Sequence, residues 1–157
     1  MIVSILAVEQ DFDSDYYYRF TTQSQGSNKS LDIVNDGTQN NKLILATTGN
    51  YSGQHWKITP LGNGFHRLTT AWQGDGKSLD VVNDGKKNSK LALSETADNS
   101  GQQWKIAPLG NGYCRLTTLW QGDTKSLAVV KDGRNNNQLI LADTSDCAEQ
   151  YWRITEV

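Results

Sequence analysis

The chain has no cluster of lysine and arginine. Its 15 basic and 17 acidic side chains give a formal net charge of −2. Without a basic patch there is no electrostatic footprint for nucleic acid or heparin. No apolar run approaches ~20 residues, so no transmembrane segment is read. Histidine is scarce: His55 and His66 share no metal-ligand spacing. The two cysteines, Cys114 and Cys147, are too few for a repeating disulfide framework, and whether this one pair bridges stays open. No Ser-His-Asp, Cys-His or metal constellation is present, so the chain reads as a non-enzyme. A glycosidase, which needs only two carboxylates, is the one enzymatic alternative. Hydrophobic residues make up 36%, below the usual share, while Asn, Gly, Ser, Thr and Gln abound. That profile fits many short strands joined by many turns.

What the chain does have is a triplet, Gln-x-Trp, written three times. It reads Gln54-His55-Trp56, Gln102-Gln103-Trp104 and Gln150-Tyr151-Trp152. The step is ~48 residues, a period that marks a repeat architecture. The same step carries Arg19 to Arg67 to Arg115, Leu31 to Leu79 to Leu127, and Asp36-Gly37 to Asp84-Gly85 to Asp132-Gly133. The linker Pro60-Leu61-Gly62-Asn63-Gly64 recurs as Pro108-Leu109-Gly110-Asn111-Gly112. The period predicts a single domain over 1–157, with units at roughly 15–62, 63–110 and 111–157 and an N-terminal arm or strand over 1–14. The apolar start Met1–Val8 lacks a basic flank and meets Glu9, Asp11 and Asp13 at once. It reads as part of that arm rather than a signal peptide, which favours a cytoplasmic or non-classically exported protein.

Within a unit the apolar residues alternate. Leu79 and Val81 flank Asp80, Leu91 and Leu93 flank Ala92, and Trp104 and Ile106 flank Lys105. Period two marks strands with one buried face. The second unit thus predicts strands near 65–70, 77–82, 90–94 and 102–107, separated by Gly- and Asn-rich turns. Three such units give twelve strands, and barrel closure removes the exposed edges. The three tryptophans then share a core, while Gln54, Gln102 and Gln150 are expected on the opposite face, bonding turn backbone.

Three Q-x-W triplets in register with Ser-Leu-Asp-Ile/Val segments resemble the ricin-type β-trefoil lectins, and the resemblance spans nearly the whole chain. It implies an all-β fold, a β-trefoil, with up to three shallow sites for galactose- or N-acetylgalactosamine-type glycans and no catalysis. The family's sugar-binding aspartate falls at Asp32 and Asp80. Each sits between inward-facing neighbours, so its carboxylate faces out and can accept from two sugar hydroxyls. The alternative is a solvated strand aspartate. The third copy has Ala128 there, so its site is expected to be degenerate. Asn35 and Asn83 follow closely as amide donors to sugar or as turn caps; Lys131 replaces them in the third copy. Asp36, Asp84 and Asp132 precede glycine in every copy and read as turn residues. The middle residues His55, Gln103 and Tyr151 are left as rim candidates.

The chain departs from the family at several site positions. Ala46, Ser94 and Ala142 stand where an aromatic platform is common, and Ile44, Ala92 and Ile140 where a polar strand residue is common. Gly53, Gly101 and Glu149 stand where an asparagine often precedes the glutamine. Trp72 and Trp120, in polar loops after the first strand of their units, are candidate substitute platforms or caps of the barrel end. Tyr51 is a third aromatic candidate, since the first copy has Ser24 at the tryptophan position. Asn50, Asp98 and Asp146 could share a cation with the strand aspartate; no other cofactor or metal is called for. The partners expected are therefore glycans or glycoconjugates, with multivalency supplied within the chain or by a homo-oligomer. The competing reading is a protein-binding trefoil scaffold, such as a protease inhibitor or toxin-associated component, in which loops matter and Asp32 and Asp80 do not. Asn28-Lys29-Ser30 and Asn50-Tyr51-Ser52 are glycosylation acceptors only in an exported eukaryotic chain.

Overall fold

Each unit folds the alternating segments into four five-residue strands. In the computed structural model these are β1 (Tyr18–Thr22), β2 (Lys29–Ile33), β3 (Leu43–Thr47) and β4 (Trp56–Pro60) in the first unit. The second unit holds β5 (His66–Thr70), β6 (Lys77–Val81), β7 (Leu91–Glu95) and β8 (Trp104–Pro108). The third holds β9 (Cys114–Thr118), β10 (Lys125–Val129), β11 (Leu139–Asp143) and β12 (Trp152–Glu156). The structure describes residues 12–34, 37, 41–82, 85, 89–133 and 137–157. Asn35, Asn83, Asp36, Asp84 and most of the N-terminal arm, residues 1–11, lie outside the described residues.

The first and last strands of the units close a six-stranded antiparallel barrel in the order β1-β12-β9-β8-β5-β4. Residues Tyr18 through Thr22 pair with Glu156 through Trp152, so the two ends of the described chain seal the sheet. The middle strands form three separate hairpins, β2-β3, β6-β7 and β10-β11. A ring of backbone bonds ties the hairpins to one another. Leu45 N donates to Asn137 O, Leu93 N to Asn41 O and Leu141 N to Ser89 O, at 2.7, 2.8 and 2.8 Å. Each unit therefore completes hydrogen bonding that its neighbour leaves open, and the edges are consumed. This is the β-trefoil.

Trp56, Trp104 and Trp152 are fully buried with Leu31, Leu79 and Leu127. Their indole N–H groups donate to the carbonyls of those same leucines at 3.0, 3.0 and 2.9 Å. A buried indole needs such a partner, and here the β2, β6 and β10 backbone supplies it. Beneath them Phe20 and Leu68 fill the barrel with Leu116. Phe12 packs edge-on against Tyr18 and His66, with centroids 5.3 and 6.1 Å away.

The glutamines differ from the alternation reading. Gln102 is not in a strand over 102–107: it ends a short 3-10 turn, Ser100–Gln102, and the strand begins at Trp104. Equivalent turns span Ser52–Gln54 and Ala148–Gln150. The backbone bond from Gln102 N to Asn99 O, 3.0 Å, tightens that turn. It rotates the amide inward, so Gln54, Gln102 and Gln150 are buried rather than outward-facing. They still bond turn backbone. Gln54 Nε2 donates to Thr47 O at 2.9 Å, and Gln54 Oε1 accepts from Gly49 N at 3.0 Å. Both cysteines are free; Cys114 is buried in the barrel wall and Cys147 is half-buried.

Candidate functional site

Asp32 lies at the middle of a hydrogen-bonded relay. Its Oδ1 accepts from the Ile33 backbone N–H at 2.7 Å, and its Oδ2 accepts from Gln54 Nε2 at 3.0 Å. Asp80 Oδ2 accepts likewise from Gln102 Nε2 at 3.1 Å. A carboxylate has about four acceptor positions, so the relay orients the group and leaves lone pairs for an outside donor. The 3-10 turn passes directly over this carboxylate. A Cβ on Gly53 would stand 2.6 Å from Asp32 Oδ1, and one on Gly101 would stand 2.7 Å from Asp80 Oδ1. A side chain at either position would require the carboxylate to move from where the relay holds it. The third copy has no strand aspartate, and there the glycine has become Glu149.

Each carboxylate opens into a cleft whose far wall belongs to the next unit. The first cleft, about 400 Å³, sets Asp32, Ile44, Ala46, Tyr51 and Gly53 against Trp72. The second, about 790 Å³, sets Asp80, Ser94, Asn99 and Gly101 against Trp120, with Asp98 at its lip. The tryptophan loops are fastened there by backbone bonds. Ala71 N donates to His55 O at 2.9 Å, and Trp72 N to Ser52 O at 3.2 Å; Leu119 and Trp120 repeat this on Gln103 and Ser100. Gly74, at φ 72°, turns the chain back beneath the indole in a left-handed conformation. Both indoles also pack partly on the core, so the platform and cap readings describe two faces of one side chain.

The cyclic arrangement explains Ser24. It occupies the tryptophan position of the first unit and so belongs to the third cleft, not the first. That depression, about 220 Å³, is lined by Ser24, Gln25, Val129, Val130, Lys131 and Glu149. Lys131 Nζ sits 3.5 Å from Glu149 Oε2 across it. The third cleft thus lacks aspartate and indole together. Gln150 keeps its backbone bonds to Asp143 O and Ser145 N at 2.7 and 2.9 Å without any carboxylate partner. The glutamine is therefore architectural first, and holding the aspartate is added to that role.

Several candidates lie elsewhere. His55, Gln103 and Tyr151 line neither of the two larger clefts. His55 stands beside Tyr17, centroids 6.3 Å apart, and burial and then Arg19 hold its imidazole below the usual pKa. Gln103 Oε1 accepts from Asn63 Nδ2 at 3.1 Å, and the Tyr151 hydroxyl donates to Asp146 at 3.4 Å. Asp98 and Asp146 stand beside arginines, 3.6 Å from Arg67 and 3.5 Å from Arg115, and Asp98 lines the same cleft as Asp80. Among the described residues no three His, Cys, Asp or Glu side chains gather as metal ligands. The sequence reading missed that the indole crosses the unit boundary. The signal was present: Ser24 and Ala128 are both exceptions, in different units, to an otherwise regular pattern.

The ricin-type β-trefoil lectin domain-like family model matches residues 9–90. The chain belongs to this family. A designed threefold-symmetric protein, ThreeFoil, has a similar structure at TM-score 0.78 and 26% identity, over 90% of this chain and 99% of that one. The lectin fold here is also similar to SeviL, solved bound to asialo-GM1 saccharide, at TM-score 0.65 and 14% identity, over 90% and 98% of the two chains. An exo-β-1,3-galactanase from Clostridium thermocellum is similar at TM-score 0.77 and 19% identity; the match covers 94% of this lectin chain and 32% of the enzyme. The latter two likenesses concern the fold alone. No curated protein matches the chain. Among the described residues of this ricin-type lectin domain, no helix is long and apolar enough to cross a membrane.

Proposed function

We propose that this lectin domain binds galactose- or N-acetylgalactosamine-type glycans at the two larger clefts and leaves the third empty. The observation that carries this is a pairing across units. Asp32 meets Trp72, Asp80 meets Trp120, and the third cleft has neither partner. A pyranose offers adjacent hydroxyl donors on one edge and C–H groups on one face. The hydroxyls fit the free lone pairs of an oriented carboxylate, and the C–H face fits an indole. No bond is broken. Gln54 and Gln102 act by holding the carboxylates, and Gly53 and Gly101 act by making room for them. Asn35 and Asn83, outside the described residues, stand in this proposal as amide donors to sugar because they follow the strand aspartates closely in sequence. The likeness to SeviL, solved bound to asialo-GM1 saccharide, supports a saccharide as the ligand class.

Single open sites of this kind hold a sugar at about millimolar Kd, roughly −4 kcal/mol. Two sites on one chain raise avidity on a surface that presents many copies, and a homo-oligomer would raise it further. The test is a glycan array with the parent chain and with the Asp32→Ala/Asp80→Ala double variant. Signal on galactose-terminated glycans, lost in a folded double variant, is the expected result. Signal that survives the double substitution moves the site elsewhere. No signal on any glycan rejects the sugar-binding reading in favour of a protein-binding scaffold.

A further inference from the structure

We propose that Tyr51 is a second aromatic wall built into the first cleft alone, and that it tunes this cleft to a pyranose carrying an N-acetyl group. The inference rests on the glycan-binding reading above. Three observations support it.

Tyr51 is 61% exposed, yet its ring is placed rather than free. It lies against the backbone of Gly49, where an added Cβ would collide with two of its ring carbons and press on a third. The units differ at both positions together: Gly49 with Tyr51, Ala97 with Asn99, Ser145 with Cys147. The aromatic occurs only where the residue two places before it lacks a side chain. This is the same kind of pairing as Gly53 with Asp32.

The walls around Tyr51 change in the same direction. The first cleft presents Ile44 and Ala46 beside Tyr51 and Trp72. The second presents Ser94, Asp98 and Asn99 in that region. A sugar hydroxyl directed at the apolar wall loses hydration without gaining a partner, which is unfavourable. An acetamido group at the same carbon brings a flat amide and a methyl, which the phenol ring covers and shuts off from water against Ile44 and Ala46. In the second cleft, Ser94 and Asn99 can satisfy the hydroxyl instead. The two clefts therefore prefer different substituents on the same ring.

The backbone tolerates the decisive substitution. Gly49 N donates to Gln54 Oε1 at 3.0 Å and Gly49 O accepts from Arg19 at 2.7 Å. Ala97 makes both equivalent bonds, to Gln102 at 2.9 Å and from Arg67 at 3.2 Å. A methyl at position 49 is thus compatible with these backbone bonds, and the nearest atoms it meets belong to the Tyr51 ring.

The experiment titrates methyl hexosides and their 2-acetamido counterparts, in both galacto and gluco configurations, by tryptophan fluorescence. Asp80→Ala isolates the first cleft and Asp32→Ala the second. The first cleft is expected to favour an acetamido sugar by about fourfold or more, the worth of one buried methyl. The second is expected to show a ratio near one. Gly49→Ala and Tyr51→Asn, each added to Asp80→Ala, should both abolish the preference. Ser94→Ala/Ala97→Gly/Asn99→Tyr, added to Asp32→Ala, should create it. Binding in both clefts with the same ratio, or a ratio that ignores Gly49→Ala and Tyr51→Asn, overturns this proposal and leaves the lectin reading standing. Failure of the parent chain to bind any of the sugars overturns both.

Discussion

At Gly53 and Asp32 one residue exists to make room for another. The 2.6 Å approach of a position-53 Cβ to Asp32 Oδ1 predicts strong coupling between the two sites. Gly53→Ala in the parent should displace the carboxylate and lower first-cleft affinity roughly tenfold, the scale of a charge-assisted hydrogen bond. In an Asp32→Ala background the same change should be nearly silent for stability. A double-mutant cycle by chemical denaturation should give a coupling of about 0.5–3 kcal/mol; additive effects would show that the glycine is there for another reason. Cys114 makes a second residue-scale case. Burial pushes its thiol up to about 12, so folding favours the protonated form. That contribution is full below the unfolded thiol's range and is lost as pH climbs from there toward the folded value. The thiolate is the reactive species. A thiol reagent at neutral pH should therefore label half-buried Cys147 in the native protein and reach Cys114 only after unfolding, which peptide mass mapping would read directly.

Among the elements, the loop that follows the first strand of each unit decides, on the proposed reading, which clefts bind sugar. It is pinned by main-chain bonds to the 3-10 turn of the preceding unit, so Trp72 acts on the first cleft and Trp120 on the second. Trp72→Ala should abolish binding in an Asp80→Ala chain yet leave binding in an Asp32→Ala chain intact; Trp120→Ala should do the reverse. Calorimetry should follow both, because Trp56, Trp104 and Trp152 are fully buried and each substitution removes the one indole of its own cleft. The third cleft extends the same logic. Its lost parts, Ser24, Ala128 and Glu149, come from two units but serve one place. The combined variant Ser24→Trp/Ala128→Asp/Glu149→Gly should raise the stoichiometry seen by calorimetry from two sugars to three. Any two of the three changes should not.

For the whole molecule, closure is the source of stability. No unit owns a complete sheet: each supplies two barrel strands and a hairpin whose backbone is completed by the others. We expect one cooperative denaturant transition, the same by far-UV and tryptophan signals. A fragment of residues 63–110 alone should remain unfolded, since its apolar face has nothing to pack on. Trp104→Ala removes an indole at the centre of the shared core and should cost about 3–5 kcal/mol. Its effect should appear in the single global transition, not as local loosening of the second unit. Two transitions would contradict the closed barrel as one folding unit.

The period, the twelve strands and the buried tryptophans were legible because they depend on local chemistry repeated in register. Alternation places Leu31, Leu79 and Leu127 inside, and Gly-rich turns end each strand. Asp32 and Asp80 stood out for a similar reason, as acids between buried neighbours. The inward turn of Gln54 was not legible, because it depends on a 3-10 bend set by the surrounding backbone rather than by strand parity. Nor was the ownership of Trp72 by the first cleft. Residues 32 and 72 share a cleft because the β4–β5 hairpin that joins the two units sets Ala71 opposite His55, beside the turn whose Gln54 holds Asp32. Sequence by itself determined that three like units would bury one apolar face. Tertiary structure alone decided which aspartate meets which indole, because that contact is made between units, where periodicity within a unit carries no information.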